Sequence, residues 1–344
     1  VITDAMFQYP SLPKSVNNIN VDIKVKSKGG SLDNTVVDIS KFNFTMAGNP
    51  FSASLNIRTP MSDPNLKAGL KGKLDLGMIK EVYPLEAGTE LNGLLTANLD
   101  IATRMSYIEK EQYENVTASG QLKVNNMTYK SENMADVIIN DIALEFSPKF
   151  VNLSSLNLKI GQNDLSATGR LENFIPYALK DETLRGQLSI KSNYLNINDF
   201  MGEESTSTDT TSVGVFEVPR NIDFALNAAM NKVMYENITM TNVNGSITVK
   251  NGAVVLNNVS ANALGGTAKI TGSYSTAENP SKPKVDFSMN LNRVSFAETF
   301  KSVEAIQKFA PVFDRISGNY SMNLKFNTTL GEILLQILGA LTGN

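Results

Sequence analysis

The sequence predicts a mainly β protein: a long, twisted antiparallel sheet built from about three repeats of roughly 100 residues, with a few short helices. Three observations predict this fold class. Apolar and polar residues alternate over many windows, turn-forming residues separate these windows, and parts of the chain repeat one another. A sheet of this length must twist and coil, because every strand carries a right-handed twist.

Alternation of apolar and polar residues is the dominant pattern along the chain. It is nearly free of exceptions in windows 18–26, 66–76, 91–101 and 316–327. Because neighbouring side chains of a strand point to opposite faces, each window predicts a strand with one apolar face and one polar, solvent-exposed face. Buried parallel strands would read as continuous apolar runs, so we expect antiparallel pairing. Turn-forming pairs such as Asn251 with Gly252 separate the windows.

The self-similarity divides the chain into repeated units. A shift that lays Phe42 on Leu156 also lays Phe44 on Leu158 without a gap, and a second shift lays Leu156 on Val259. Such repetition indicates stacked copies that share one continuous surface. The predicted organisation is a first β-repeat unit at 1–112, a second at 113–200, a flexible loop at 201–214, and a third unit at 215–344 with a helical segment at about 295–312 and a C-terminal helix at about 330–341.

The composition argues against catalysis. The 344 residues include no histidine, cysteine or tryptophan, which removes imidazole bases, thiol nucleophiles and thiolate metal sites. We therefore expect neither an enzyme nor a cofactor or metal site. A carbohydrate-active enzyme would need two convergent carboxylates. The carboxylates on polar strand faces, Asp22, Asp75, Asp100 and Asp286, are better explained as solubilising charges.

Charge and hydropathy bound the partners and the location. The formal net charge is −3 with both signs interspersed, so no basic stripe indicates nucleic acid. No stretch approaches the roughly 18 apolar residues of a membrane span, and the N-terminal residues do not resemble a signal peptide. The chain begins without methionine and stops abruptly at Leu341–Asn344, so we expect a soluble fragment of a longer parent.

One face of nearly every predicted strand is apolar, and the sequence contains too few helices to cover it. This face is ordinary core if the sheet folds on itself as sandwiches. Alternatively, the sheet curls and leaves a lengthwise groove that an apolar ligand fills. The candidate groove-lining residues are Ile19, Val21, Ile23, Phe42, Phe44, Leu70, Leu74, Leu95, Leu99, Leu156, Leu158, Ile160, Leu188, Ile190, Phe287, Met289, Leu291, Tyr320, Met322, Leu324 and Phe326.

Several short sequence segments, each with the alternation of a strand, resemble those of a known protein family. The resemblance spans most of residues 15–330. In chain order the segments are Leu184–Ile190 running into Tyr194–Phe200, Phe216–Phe224, Asn251–Leu256 running into Gly265–Ala268, and Phe313–Phe326. In this order they resemble the AsmA-like proteins of Gram-negative bacteria, in particular the AsmA-type C-terminal region of Bacteroidota members. That family is similar to bridge-like lipid transfer proteins.

The resemblance implies a periplasmic body that is anchored to the inner membrane through an N-terminal helix absent from this chain. It also implies a hydrophobic groove that conducts phospholipid acyl chains toward the outer membrane, and no catalytic residues. The predicted function is a non-enzymatic module that binds or conducts phospholipid or another acyl lipid in envelope biogenesis. The alternative is a structural or interaction β-repeat scaffold whose apolar faces are buried in closed sandwich cores.

Overall fold

A computed structural model of the protein describes residues 1–132, 134–200 and 217–329. The fold is mainly β, with 64% strand and 15% helix. The described residues form seventeen strands, which belong to one mixed sheet, together with a few short helices. The predicted fold class is thereby confirmed, whereas curling of the sheet into a groove stays a prediction.

Contacts divide the chain into two compact units. The first comprises Val1–Gly161 and Ser166–Glu182, and the second comprises Gln162–Leu165 and Thr183–Asn344. This division differs from the three predicted repeats, which stay a prediction. The predicted flexible loop at 201–214 and the C-terminal helix at about 330–341 lie outside the described residues.

The first unit is an antiparallel meander in which each strand pairs with the next one along the chain. Its strands are β1 Ile2–Gln8, β2 Ser15–Ser27, β3 Thr35–Met46, β4 Asn49–Arg58, β5 Asn65–Asp75, β6 Glu90–Arg104, β7 Thr117–Ser131, β8 Met134–Phe146 and β9 Phe150–Ile160. Its α-helices are α1 Ile79–Val82, α2 Met105–Glu109 and α3 Phe174–Lys180, and its 3-10 helices are Leu32–Asn34, Leu76–Met78 and Tyr113–Asn115.

The second unit contains the remaining strands, and β10 has residues in both units. The strands are β10 Asn163–Glu172, β11 Leu184–Asn196, β12 Ile222–Tyr235, β13 Ile238–Lys250, β14 Ala253–Ala263, β15 Gly266–Ser275, β16 Lys284–Ser295 and β17 Asn319–Thr329. The α-helices are α4 Phe296–Ser302 and α5 Glu304–Phe309, and the 3-10 helices are Ile197–Phe200 and Pro311–Arg315. The strands from β12 to β17 pair antiparallel in chain order.

One strand pair departs from the predicted antiparallel arrangement. β11 and β12 run parallel, with Leu188 opposite Leu226. Parallel neighbours need a long crossover connection, and residues 197–221 supply one. Both strands keep alternating apolar and polar residues, so nothing in their pattern distinguishes them from antiparallel neighbours.

Three hairpins use two-residue turns whose backbone twist suits the strands. The turn residues are Ala47 with Gly48, Asn251 with Gly252, and Leu264 with Gly265, and all six have positive φ angles. Positive φ at both central positions defines the type I′ turn, which matches the right-handed twist of a hairpin.

The predicted helical segment at about 295–312 contains two short helices, α4 and α5, and the start of a 3-10 helix at Pro311. The Ser295 side chain caps α4 by accepting a hydrogen bond from the Glu298 amide. Val303, in extended conformation, separates the two helices. The Gln307 side chain donates to the carbonyl of Phe300 at 2.8 Å and so ties α5 to α4.

Gly120 allows an unusually close approach of β6 and β7. A Cβ atom at this position would lie 1.9 Å from the carbonyl oxygen of Asn98, and φ of Gly120 is +116°. Gly120 pairs with Leu99 and with Phe146, so it lies on the apolar face of the first unit. Any side chain here would separate two strands in the middle of the sheet.

We expect Gly120→Ala to destabilise the protein by at least about 2 kcal/mol, because the added methyl group clashes with backbone and the φ angle disfavours an L side chain. Gly48→Ala is the matched control, since Gly48 also has positive φ (+79°) but no atom lies within 4 Å of its Cβ position. That control should lose only about 1 kcal/mol. Urea unfolding measures both variants, and equal losses would show that close strand approach is unimportant.

Candidate functional site

Strand register in the first unit brings the predicted lining residues onto one face. Directly paired residues of neighbouring strands point to the same side of a sheet. One row of direct pairs consists of Val21, Phe42, Ala53, Leu70 and Leu99. A second row consists of Leu74, Leu95, Val124, Ile142 and Leu156.

The other predicted residues of this unit join the same face through their own pairs. Ile19 pairs with Ala5, Ile23 with Ile39, Phe44 with Phe51, Leu158 with Ile139, and Ile160 with Val137. The ring centroids of Phe44 and Phe51 lie 5.3 Å apart, within contact distance for aromatic side chains. All twelve predicted residues of the first unit therefore share one apolar face.

The second unit repeats this arrangement. Its longest row of direct pairs consists of Leu188, Leu226, Ile247, Leu256, Gly272, Phe287 and Phe326. The remaining predicted residues lie on the same face: Ile190 pairs with Ala228, Met289 with Leu324, Leu291 with Met322, and Tyr320 with Val294. The nine predicted residues of this unit thus form a second apolar face.

Bulges keep the apolar residues on their face where strict alternation fails. Asn18, Asn126, Asn242, Asn258 and Arg293 have φ angles near +50°. At each of them the spacing of apolar residues changes from two to three, as from Leu256 to Val259. An extra residue in one strand shifts the alternation by one position, so the spacing of three restores the original face.

These bulges explain which face residues the sequence analysis missed. Val124, Ile142 and Ile247 lie on the apolar faces but were not among the predicted lining residues. These residues lie on β7, β8 and β13, and each of these strands carries a bulge, so strict alternation breaks in them. The sequence does contain a pattern that marks these bulges. Two apolar residues are separated by two other residues, and the second of these two is usually Asn.

None of the 21 predicted lining residues is fully buried. Every one is half-buried or exposed, and the exposed fraction reaches 49% for Ile23 and 40% for Met322. Core residues of a closed sandwich would be inaccessible to water on their inner face. The apolar faces of both units are therefore reachable from solvent at these residues, whereas neighbours such as Ala97, Ala228 and Val294 on the same faces are buried.

Short helices cover part of the face in the first unit. Ile108 of α2 and Ile175 of α3 form a buried cluster with Val116. Ile101 of the apolar face packs against this cluster, and the ring of Phe174 lies 5.8 Å from that of Phe146. A salt bridge of 2.9 Å between Lys180 and Glu109 ties α3 to α2.

In the second unit, helix α4 and the 3-10 helix Pro311–Arg315 cover part of the face. Phe296 of α4 packs 4.6 Å from the ring of Tyr320, and Phe313 lies 5.0 Å from Phe296. The hydroxyl groups of Thr299 and Tyr320 share a hydrogen bond of 3.0 Å. A separate buried cluster on β12, β13 and β14 consists of Val233, Val243 and Ala261, and Leu195 and Ile197 pack against it. The predicted lining residue Tyr320 thus belongs to an aromatic cap.

The opposite face of each unit is polar and held by side-chain pairs across strands. Asn56 donates to Asp38 and Asn157 donates to Asp141, each at 2.8 Å, and Asn327 donates to Asp286 at 3.1 Å. Polar side-chain pairs across strands stabilise a sheet, and the face that carries them stays hydrated. One face of each unit is therefore mainly apolar and the other mainly polar, with exceptions such as Leu94 and Ile138 on the polar face.

The carboxylates considered for catalysis have structural roles in several cases. Asp22 accepts hydrogen bonds from Lys24 and Ser40, and Asp75 caps a 3-10 helix through the Gly77 amide. Within residues 1–132, 134–200 and 217–329, no group of three or more carboxylates could hold a metal ion. In the same part of the chain, no helix is long and apolar enough to cross a membrane.

Asp164 holds the irregular stretch of β11 that precedes Leu195. Its carboxylate accepts hydrogen bonds from the backbone amides of Asn193 at 2.9 Å and Tyr194 at 2.7 Å. Burial alone would raise the pKa of this carboxyl, but these hydrogen bonds outweigh burial and hold the pKa of Asp164 below its usual value. The ionised carboxylate therefore satisfies two backbone donors and helps return Leu195 to the apolar face.

No family model matches the chain, and no curated protein or solved structure is similar to it. The resemblance to AsmA-like proteins therefore depends only on the strand-like segments of the sequence and their order.

We expect the Asp164 carboxylate to make stability depend on pH. Because its pKa is lowered by folding, its contribution is fully present above the unfolded pKa of about 3.9 and is lost as pH falls through the folded pKa. Asp164→Asn should lose about 1 to 2 kcal/mol at neutral pH, less than a fully buried charged group would. Urea unfolding of both proteins at several pH values tests this, and a difference that persists undiminished at acid pH would contradict it.

Proposed function

We propose that the chain is a non-enzymatic module that binds or conducts the acyl chains of phospholipid along the apolar faces of its sheet. One observation carries this proposal: the predicted lining residues share a face in each unit, and none of them is buried. A soluble protein rarely leaves so large a set of aligned apolar side chains open to water without a function.

The physical basis of binding is removal of apolar surface from water. An acyl chain gains about 0.8 kcal/mol for each CH₂ group that is buried, and the protein gains as its half-exposed Leu, Ile and Phe side chains are covered. The lining residues are almost all aliphatic or aromatic and offer no charged group to a lipid head. The affinity is therefore for acyl chains, while the head group stays in water.

The arrangement of the faces also suits movement of lipid. Rows such as Leu188 to Phe326 continue from strand to strand without a polar residue. A chain that slides along such a row exchanges one apolar contact for a similar one, so its free energy changes little. The resemblance to AsmA-like proteins supports placing this module in the periplasm, in outer-membrane and envelope biogenesis.

The first test is the lipid content of the purified protein. Protein isolated from bacterial cells without detergent should carry phospholipid, which organic extraction and mass spectrometry would identify. The physical reason is that aligned apolar faces recruit acyl chains from the membranes of the host cell. A lipid-free preparation that also fails to take up lipid from vesicles would favour the alternative, a structural or interaction scaffold.

A charge on the apolar face should reduce lipid binding, because a carboxylate at that position would have to be desolvated against an acyl chain. We expect Leu188→Asp and Leu324→Asp each to lower the amount of bound lipid at least about tenfold. Transfer of a fluorescent phospholipid between vesicles should fall in parallel.

Asn323→Asp is the matched control for Leu324→Asp. Asn323 is the preceding residue, lies on the opposite face of β17 and accepts a hydrogen bond from Asn290, which an aspartate can also accept. This control should bind and transfer lipid like the unmodified chain. Equal lipid binding by a folded Leu324→Asp variant would remove Leu324 from the proposed route.

A further inference from the structure

Two neighbouring loops of the first unit present large apolar side chains to solvent. Leu32 lies in the connection between β2 and β3, and Met61 lies in the connection between β4 and β5. Their exposed fractions are 64% and 62%. Both connections lie at the same end of the strands, because β2 and β4 run in the same direction within the antiparallel meander.

The two loops are held together by a carboxylate. Asp33 accepts hydrogen bonds from the backbone amides of Met61 at 2.8 Å and Ser62 at 2.9 Å. Within its own loop, the Asp33 amide donates to the Ser31 side chain at 3.2 Å, and the Asn34 side chain donates to the Gly29 carbonyl at 2.8 Å. Hydrogen bonds therefore tie the connection that carries Leu32 to the one that carries Met61.

The apolar face reaches the same end of the strands without cover. Val25, near the end of β2, is 64% exposed and pairs with Val37 at the start of β3. Val37 in turn pairs with Ile57, close to the Met61 loop. The exposed loop residues therefore lie beside the margin of the proposed lipid-binding face.

The charge around these loops is positive toward solvent. Lys26 and Lys28 at the end of β2 and Arg58 at the end of β4 are exposed. The carboxylates of these connections and strand ends, Asp33, Asp38 and Asp63, are partly buried rather than exposed. They accept hydrogen bonds from Met61 and Ser62, from Asn56, and from Ser106, and Asp63 also pairs with Arg104. Exposed apolar side chains flanked by cations fit an anionic lipid surface, since the former enter the interface and the latter meet the phosphates.

We infer that the loops carrying Leu32 and Met61, with Lys26, Lys28 and Arg58, dock the first unit onto an anionic bilayer surface. The inference rests on the proposed function, because it identifies where lipid would pass between a membrane and the apolar face. Docking by these loops would place Val25 and its row next to the lipid head groups. An acyl chain would then cross little water on its way to the face.

Vesicle flotation tests the docking surface with the full chain. The unmodified protein should float with vesicles of equal parts phosphatidylcholine and phosphatidylglycerol, and much less with phosphatidylcholine alone or at high salt. Leu32→Ser combined with Met61→Ser should weaken the vesicle partition at least about tenfold. Lys26→Gln and Lys28→Gln should each weaken it about fivefold.

Met134→Ser is the matched control, since Met134 is also an exposed methionine but lies at the other end of the strands, at the start of β8. It should float like the unmodified protein. Unchanged urea midpoints would show that all variants are folded, which is expected because the replaced side chains are exposed.

Flotation of the Leu32/Met61 variant at the level of the unmodified protein would overturn the inference, and so would failure of the unmodified protein to float. Extraction of bound lipid from the same preparations separates the two proposals. Protein that carries lipid but does not float retains the proposed function and loses this docking surface. Protein that floats through these residues but carries no lipid retains the docking surface and loses the proposed function.

Discussion

The backbone hydrogen-bond ladder, with its register, is the constraint on which the rest of the structure depends. Side chains alternate with a period of two, so a slip of one residue would turn an entire apolar set toward the polar side. The bulges near residues such as Asn126 and Asn258 insert an extra residue where the apolar spacing also increases by one. Backbone geometry and side-chain pattern therefore agree along each strand.

This agreement produces one mainly apolar and one mainly polar face, and the short helices leave part of the apolar face open to water. In most β proteins a second sheet or a layer of helices would complete the core. Here α2 and α3 in the first unit, and α4 with its aromatic cap in the second, cover limited areas. The stability of each unit must therefore come largely from the ladder and from contacts between neighbouring side chains, while the open area is available to an apolar ligand.

The same organisation gives the polar groups a supporting role. Carboxylates such as Asp33 and Asp164 accept hydrogen bonds from backbone amides at loops and irregular strand positions, where the ladder leaves donors without partners. These groups fix the loops at the ends of the strands and the residues that follow a bulge. In a protein without histidine or cysteine, acidic side chains thus serve the geometry of the apolar faces, and the proposed function depends on a surface more than on any single reactive group.

The sequence alone determined that the protein is mainly β and which residues share an apolar face in regular strands, because alternation depends only on local backbone geometry. It did not reveal strands such as β7 and β13 as parts of that face, since strict alternation fails at Asn126 and Asn242 although the apolar spacing around them carries the signal. The parallel pairing of β11 with β12 was also decided only by the tertiary structure. The partial exposure of residues such as Leu188 was also decided only by the tertiary structure, because burial depends on which distant segments pack over a face. The alternation of apolar and polar residues in a strand is the same whether its apolar face is covered or open.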